Sequence, residues 1–212
     1  MFLDYAAMLD VLRFVTDRID ARHVLAYLPG WEGRYYWEYG AYRPDPHLGG
    51  ERGFAALCDG ARALGVHLMP MFGANCVNAT LPRFAALDAS MYLKSATGNR
   101  FHGNTPDWDL SRAHDTGWQA WLNPGHPAWR DDLAGQIETL AARFDFDAVF
   151  LDTSEVWIND RDHDVFAGYR ACQRCHPLAE PGRPAWVAKL RSSRVPTRRR
   201  MGQRSRHAST SA

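Results

Sequence analysis

The sequence predicts an α/β fold: a partial (β/α)8 TIM barrel of about four βα units, followed by a disordered basic C-terminal tail. Three observations lead there. Helical and strand-like periodicities alternate from Asp4 to Asp152. The long loops, rich in Gly, Asn and aromatic residues, all follow strand candidates, the one-ended elaboration of a barrel. Residues 146–152 (FDAVFLD) form an apolar run too continuous for a half-exposed strand, and it passes straight into Asp152, Glu155, Trp157 and Asn159.

Asp4 to Asp20 carries Ala7, Met8, Val11, Leu12, Phe14, Val15 and Ile19 at helical spacing, a stripe expected to pack on a sheet. His23 to Leu28 is the first strand. It opens through Pro29-Gly30 into an aromatic loop holding Trp31, Tyr35, Tyr36, Trp37, Tyr39 and Tyr42 among Glu32, Arg34, Glu38, Arg43 and Asp45. Gly50 to Leu64 is a helix with Phe54, Leu57, Cys58, Ala61 and Leu64 on one face, stopped by Gly65. Val66 to Phe72 is the second strand, and Pro70, which lacks a ladder donor, predicts a bulge or strand end nearby. An excursion of some 45 residues follows, of a size that is usually functional. Trp118 to Asn123 is the third strand candidate. Pro124-Gly125-His126-Pro127 leads into a helix to Phe144 with Asp131 and Asp132 in its first turn, a crossover that delivers residues 146–152 as the fourth parallel strand.

After about Arg170 the pattern changes, so the chain divides into a (β/α) half-barrel at 1–170 and an irregular Arg/Ser/Pro-rich tail at 171–212. No fifth apolar run follows Asp152. The chain is expected to stop halfway through a barrel, and its tail is of the kind that a shifted reading frame in GC-rich DNA would encode. Open sheet edges then predict self-association.

Composition narrows the function classes. The 212 residues are 46% hydrophobic, with eight tryptophans, enough for one globular domain. The formal charge of +1 hides an asymmetry: residues 189–212 hold eight of the 25 basic side chains and no acid. Removing these eight leaves 17 basic against 24 acidic residues, a net of −7. Specific nucleic-acid binding is not expected of such a body. No apolar stretch is long enough for a membrane span and the N-terminus lacks a signal-peptide pattern, so the expected location is cytoplasmic and no membrane partner is expected. Four cysteines make no disulfide framework, and Asn78-Ala79-Thr80 is read as a chance glycosylation acceptor.

Asp152 lies where barrels keep their chemistry. From the residues alone it is either a helix cap or a catalytic carboxylate. Sugar subsites combine aromatic faces with amides and carboxylates, and the loops after strands supply both: Trp31, Tyr36, Trp37, Asn75, Asp107, Trp108, Glu155 and Trp157 are the substrate-binding candidates. Cys172-Gln173-Arg174-Cys175-His176 is a literal CxxCH, a pattern of haem attachment or half a zinc site, which His163 or Cys76 could complete. It falls where the periodicity collapses and is read as accidental.

Tyr27-Leu28-Pro29-Gly30-Trp31, Gly49-Gly50 with Phe54, Gly65 to Gly73, Trp121-Leu122-Asn123-Pro124 with Trp129-Arg130, and Phe146 to Asp152 resemble the first half of an amylase-like or α-galactosidase-like glycoside hydrolase barrel. The resemblance covers roughly residues 23 to 168, rests on order and spacing, and points to a poorly characterised bacterial member. It implies a retaining glycosidase with Asp152 as nucleophile at the end of strand four, a carbohydrate substrate, and no metal or organic cofactor. Two carboxyl groups must flank the scissile bond. Glu155 is too near Asp152 in the chain to be the opposing acid and is expected to bind hydroxyls or pair with Arg161. The resembling enzymes take that acid from a later strand, so this chain alone is expected to be weakly active or inactive. Phe150 stands where amylases place an arginine, and Trp121 to Pro124 replaces their third-strand motif, which points away from amylase activity proper. The alternatives are a truncated, non-catalytic remnant that at most binds carbohydrate and, more remotely, a redox or metal protein built on the CxxCH.

Overall fold

A computed structural model describes residues 3–33, 38–100 and 119–152, together with the backbone of 187–189. The element order is α1 (Tyr5–Thr16), β1 (Leu25–Leu28), α2 (Gly50–Leu64), β2 (His67–Gly73), β3 (Cys76–Asn78), β4 (Gln119–Trp121), α3 (Pro127–Phe144), β5 (Ala148–Asp152) and β6 (Val187–Lys189). Local signals set the helix ends. The Asp4 carboxylate accepts from the Ala7 amide at 2.7 Å to start α1, and Gly65 at φ 83° stops α2. Asp145 ends α3 at φ 52°. Asp131 and Asp132 fall beyond the first turn of α3, which Pro127 opens.

The main sheet runs β1-β2-β5-β6, with β1, β2 and β5 mutually parallel. Two expectations about strands are corrected. The candidate at 118–123 is not a barrel strand: its core, β4, pairs antiparallel with β3 in a separate two-stranded sheet, Cys76 opposite Trp121. Asp152 therefore ends the third parallel strand of the described residues. Pro70 neither bulges nor ends β2. It sits where pairing passes from β1 (residues 67–70) to β5 (residues 71–73), so its missing donor falls at the changeover.

The segment expected to be irregular contains one described stretch, β6, which lies antiparallel along β5 with Ala148 opposite Lys189. The remainder of the tail, the CxxCH and His163 lie outside the described residues.

The core is aromatic. Phe54 of α2 has no exposed surface and stacks on Trp31 with centroids 4.9 Å apart. It also meets Tyr5 at 5.3 Å and Phe144 at 5.0 Å, so one ring ties α1, α2, α3 and the loop after β1 together. The α1 stripe packs on α2 rather than on the sheet: Leu9 enters a gap at Gly60, where an added Cβ would lie 2.5 Å from its Cδ2. Tyr5 and Leu12 are buried, whereas Val11, Phe14 and Ile19 are each about half exposed or more. Phe54→Ala should cost about 3–5 kcal/mol in urea unfolding, the range for deleting a fully buried phenyl ring.

Candidate active site at the strand ends

The carboxyl ends of β1, β2 and β5 lie side by side, and the residues that follow them build the site. Gly73, the last residue of β2, is opposite Asp152, the last of β5, and the Ala74 amide donates to the Asp152 carbonyl at 2.9 Å. Tyr39, from the loop after β1, lays its ring over Gly73. A Cβ there would stand 2.1 Å from Tyr39 Cε1, so no larger residue fits without displacing the ring. From that seat the Tyr39 hydroxyl donates to Asp152 Oδ2 at 3.2 Å.

Neighbouring contacts hold the loop in place. The Gly73 amide donates to the Tyr42 hydroxyl at 2.6 Å. The Tyr42 amide donates to Gln136 Oε1 at 3.0 Å, and Gln136 Nε2 donates to the Gly40 carbonyl at 3.0 Å, which fastens the loop to α3. Trp129 Nε1 donates to the Ala74 carbonyl at 2.9 Å, fixing the segment after β2.

Two buried groups lack such partners. Glu32, four residues past β1, is fully enclosed, and neither carboxyl oxygen has a hydrogen-bond partner among the described residues. Burial pushes its pKa from 4.5 up to about 8; its own backbone N–H favours the charge without a hydrogen bond of acceptable geometry, and Asp45, Glu38 and Asp152 oppose it. Asn75, two residues past β2, is equally enclosed, and neither polar atom of its carboxamide is bonded among the described residues, although its backbone carbonyl accepts from the Leu122 amide at 2.7 Å. Buried polar groups without partners are costly, and they concentrate where a protein does chemistry or binds. Burial also holds the Tyr39 and Tyr42 phenols neutral, well above their ordinary range.

The sequence candidates divide accordingly. Asp152 and Asn75 come to adjacent strand ends. Trp31 does not serve as a ring platform: it has no exposed surface, packs against Phe54, Tyr42 and Phe72, and donates Nε1–H to the Met71 carbonyl at 2.8 Å. A ring with no free face offers none to a sugar. Tyr36, Trp37, Asp107, Trp108, Glu155 and Trp157 lie outside the described residues. Sequence reasoning passed over Glu32 as one polar loop residue among several, and Tyr39 as one aromatic among six. The available signal was position, since Glu32 follows a strand end by four residues.

Other motifs are settled locally. Asn78 is buried and its side-chain oxygen accepts from Thr80 N at 2.9 Å and Thr80 Oγ1 at 2.6 Å, an Asx turn that explains the Asn-Ala-Thr string. Cys76 is buried in β3, and no cluster of three His, Cys, Asp or Glu residues among the described ones is arranged to hold a metal ion. No described helix is long and apolar enough to cross a membrane.

No family model matches the sequence, and no curated protein does. Solved structures do. An α-amylase from Geobacillus thermoleovorans, complexed with acarbose, matches at TM-score 0.56 and 18% identity over 81% of this chain and 37% of that one. An α-N-acetylgalactosaminidase from Bifidobacterium bifidum, in complex with GalNAc, matches at TM-score 0.62 and 13% identity over 82% and 28%. An α-galactosidase from Thermus thermophilus matches at TM-score 0.60 and 15% identity over 84% and 34%. The fold is that of the amylase- and α-galactosidase-type barrels. The chain spans about a third of the length of these proteins. In such a barrel, Glu32, Asn75 and Asp152 stand on the face where the chemistry is kept.

The Glu32 carboxyl has a stability consequence. Its folded-state pKa is above that of the unfolded chain, so the unfolded chain loses this proton first. Folding stability should fall as pH rises from about 4.5 to about 8 and then level off. Glu32→Gln should remove that fall and be more stable than wild type by roughly a few kcal/mol at pH 8 to 9, with little difference at pH 4. Urea unfolding of both proteins across this range is the check.

Proposed function

We propose that the chain is the catalytic-face portion of a carbohydrate-active barrel, with Asp152 as the nucleophile of a retaining glycoside hydrolase. One observation carries the reading: Asp152 ends a parallel strand beside Gly73 and receives a hydrogen bond from Tyr39, so its carboxylate is held at the strand ends by a neighbouring loop. The role requires a carboxylate fixed in one orientation, because attack on an anomeric carbon depends on a near-attack geometry. The barrels of like fold add weight, since those solved structures were named for α-linked sugars and one was complexed with p-nitrophenyl α-D-galactopyranoside.

In the proposed step the Asp152 oxygen bonds to the anomeric carbon as the bond to the leaving oxygen breaks. That oxygen takes a proton from an acid, and water later releases the sugar with retention. The amide of Asn75 is a binder of hydroxyls in the same reading.

A second reading, carbohydrate binding without turnover, also has an observation in its favour. The described carboxyls around Asp152 are buried, as Glu32 and Asp45 are, or ion-paired, as Glu38 is with Arg43 at 2.8 Å. None of them is an open acid.

The two readings part on turnover. Wild type should release p-nitrophenol slowly from p-nitrophenyl α-D-galactopyranoside or another aryl glycoside, and Asp152→Asn should reduce that rate by about a thousandfold or more. No release by wild type, or equal release by Asp152→Asn, would remove the catalytic reading and leave the binding one.

A further inference from the structure

The hydrogen bond from the Tyr39 hydroxyl to Asp152 Oδ2 is 3.2 Å long, against about 2.7–2.8 Å for an ordinary O–H···O bond. It is a loose contact made from a tightly fixed place. The Tyr39 ring lies over Gly73, where an added Cβ would meet Cε1 at 2.1 Å, Cδ1 at 2.7 Å and Cζ at 2.9 Å. The ring also packs against Tyr42 with centroids 5.9 Å apart, and the Tyr39 carbonyl accepts from the Asn78 amide of β3 at 2.9 Å. Packing, rather than the hydrogen bond itself, therefore brings the hydroxyl to the carboxylate. Phe150, two residues before Asp152 on β5, meets Tyr27 edge-on at 4.9 Å and has no donor to give, so this donor comes from the loop after β1.

We propose that Tyr39 is a positioning residue that acts through Asp152 in the second half of the reaction: it holds Oδ2, leaves Oδ1 to bond to the sugar, and stabilises the carboxylate as the sugar departs. The proposal rests on the nucleophilic reading of Asp152. It adds which oxygen attacks and which step the neighbouring loop serves.

The two steps differ in how charge moves on Asp152. In the first, Oδ1 gives an electron pair to the anomeric carbon as the bond to the leaving oxygen breaks, so a carboxylate becomes a neutral ester. A hydrogen bond to the full charge stabilises the start of that step more than its transition state and does not accelerate it. In the second, water attacks the anomeric carbon with its proton passing to solvent, the bond to Oδ1 breaks, and the electron pair returns to the carboxylate. Charge then builds on both oxygens. The Tyr39 hydroxyl faces an uncharged ester oxygen at the start of this step and a charged one at its transition state, and a separation of 3.2 Å leaves room to shorten as the charge develops. A bond that strengthens on the way to the transition state lowers that barrier. Burial holds the phenol neutral, well above its ordinary range, so it remains a donor throughout.

The test is steady-state and burst kinetics of wild type, Tyr39→Phe and Asp152→Asn with dinitrophenyl α-D-galactopyranoside and the matching glucoside, whose leaving group departs as the phenolate without help from an acid. Tyr39→Phe keeps the ring on Gly73 and removes only the hydroxyl. It should lower kcat about tenfold or more, lower KM with it, and give a burst of about one dinitrophenolate per protein as the glycosyl-enzyme accumulates. Azide, which attacks the accumulated neutral ester, should return kcat toward that of wild type. A merely structural loss would lower kcat and kcat/KM together and would not respond to azide. That result, or kinetics equal to wild type, overturns the role of Tyr39 and leaves the reading of Asp152 standing. No release by wild type, or release by Asp152→Asn at the wild-type rate, overturns both.

Discussion

The architecture of the site depends on one close approach: the ring of Tyr39 lying across the end of β2, in space that only Gly73 leaves open. Through it the loop after β1 touches the last residue of β2 and the last residue of β5 at once. Each of these elements is ordinary alone. Together they give a strand-end aspartate an assigned hydrogen-bond donor. Tyr42 and Gln136 keep the loop from drifting, and the Trp31–Phe54 stack anchors its start. Trp31, Tyr39 and Tyr42 after β1 thus serve first as structure.

That rigidity makes the two unsatisfied groups informative. Around them nearly every polar contact is made, as with Trp129 on the Ala74 carbonyl and the Tyr42 hydroxyl on Gly73. Glu32 and Asn75 are exceptions in a well-bonded setting, a cost that the packing around them does not explain. The shared fold with glycoside hydrolase barrels says where to look, but fold alone does not assign an activity. The assignment rests on the side chains present at this face.

Much of the fold was legible in the sequence because short-range chemistry fixed it. Gly65 and Pro127 mark helix boundaries that the structure reproduces, and the apolar run ending at Asp152 is a parallel strand. The strand at Trp118–Asn123 was misassigned because a short apolar segment has the same local pattern in a barrel sheet as in an antiparallel pair, and only its partner, β3, distinguishes them. The candidate site was legible in part. Position placed Asp152 and Asn75 at neighbouring strand ends, as the structure has them, whereas Trp31 is packed away: an aromatic after a strand reads alike whether it is open or, as here, faces Phe54 and the Met71 carbonyl. Position was the one signal for Glu32, because burial without a described partner is a property of three dimensions.

The account stands or falls on whether Asp152 is the reactive carboxylate of a carbohydrate site. The direct measurement is mass spectrometry of the protein after incubation with an activated 2-deoxy-2-fluoro-α-galactosyl or -glucosyl fluoride, which slows release of a covalent intermediate. The account predicts a mass increase of one fluorosugar, located on the peptide containing Asp152. An adduct on a different residue would contradict the assignment of Asp152, and no adduct with either reagent would contradict the nucleophilic role.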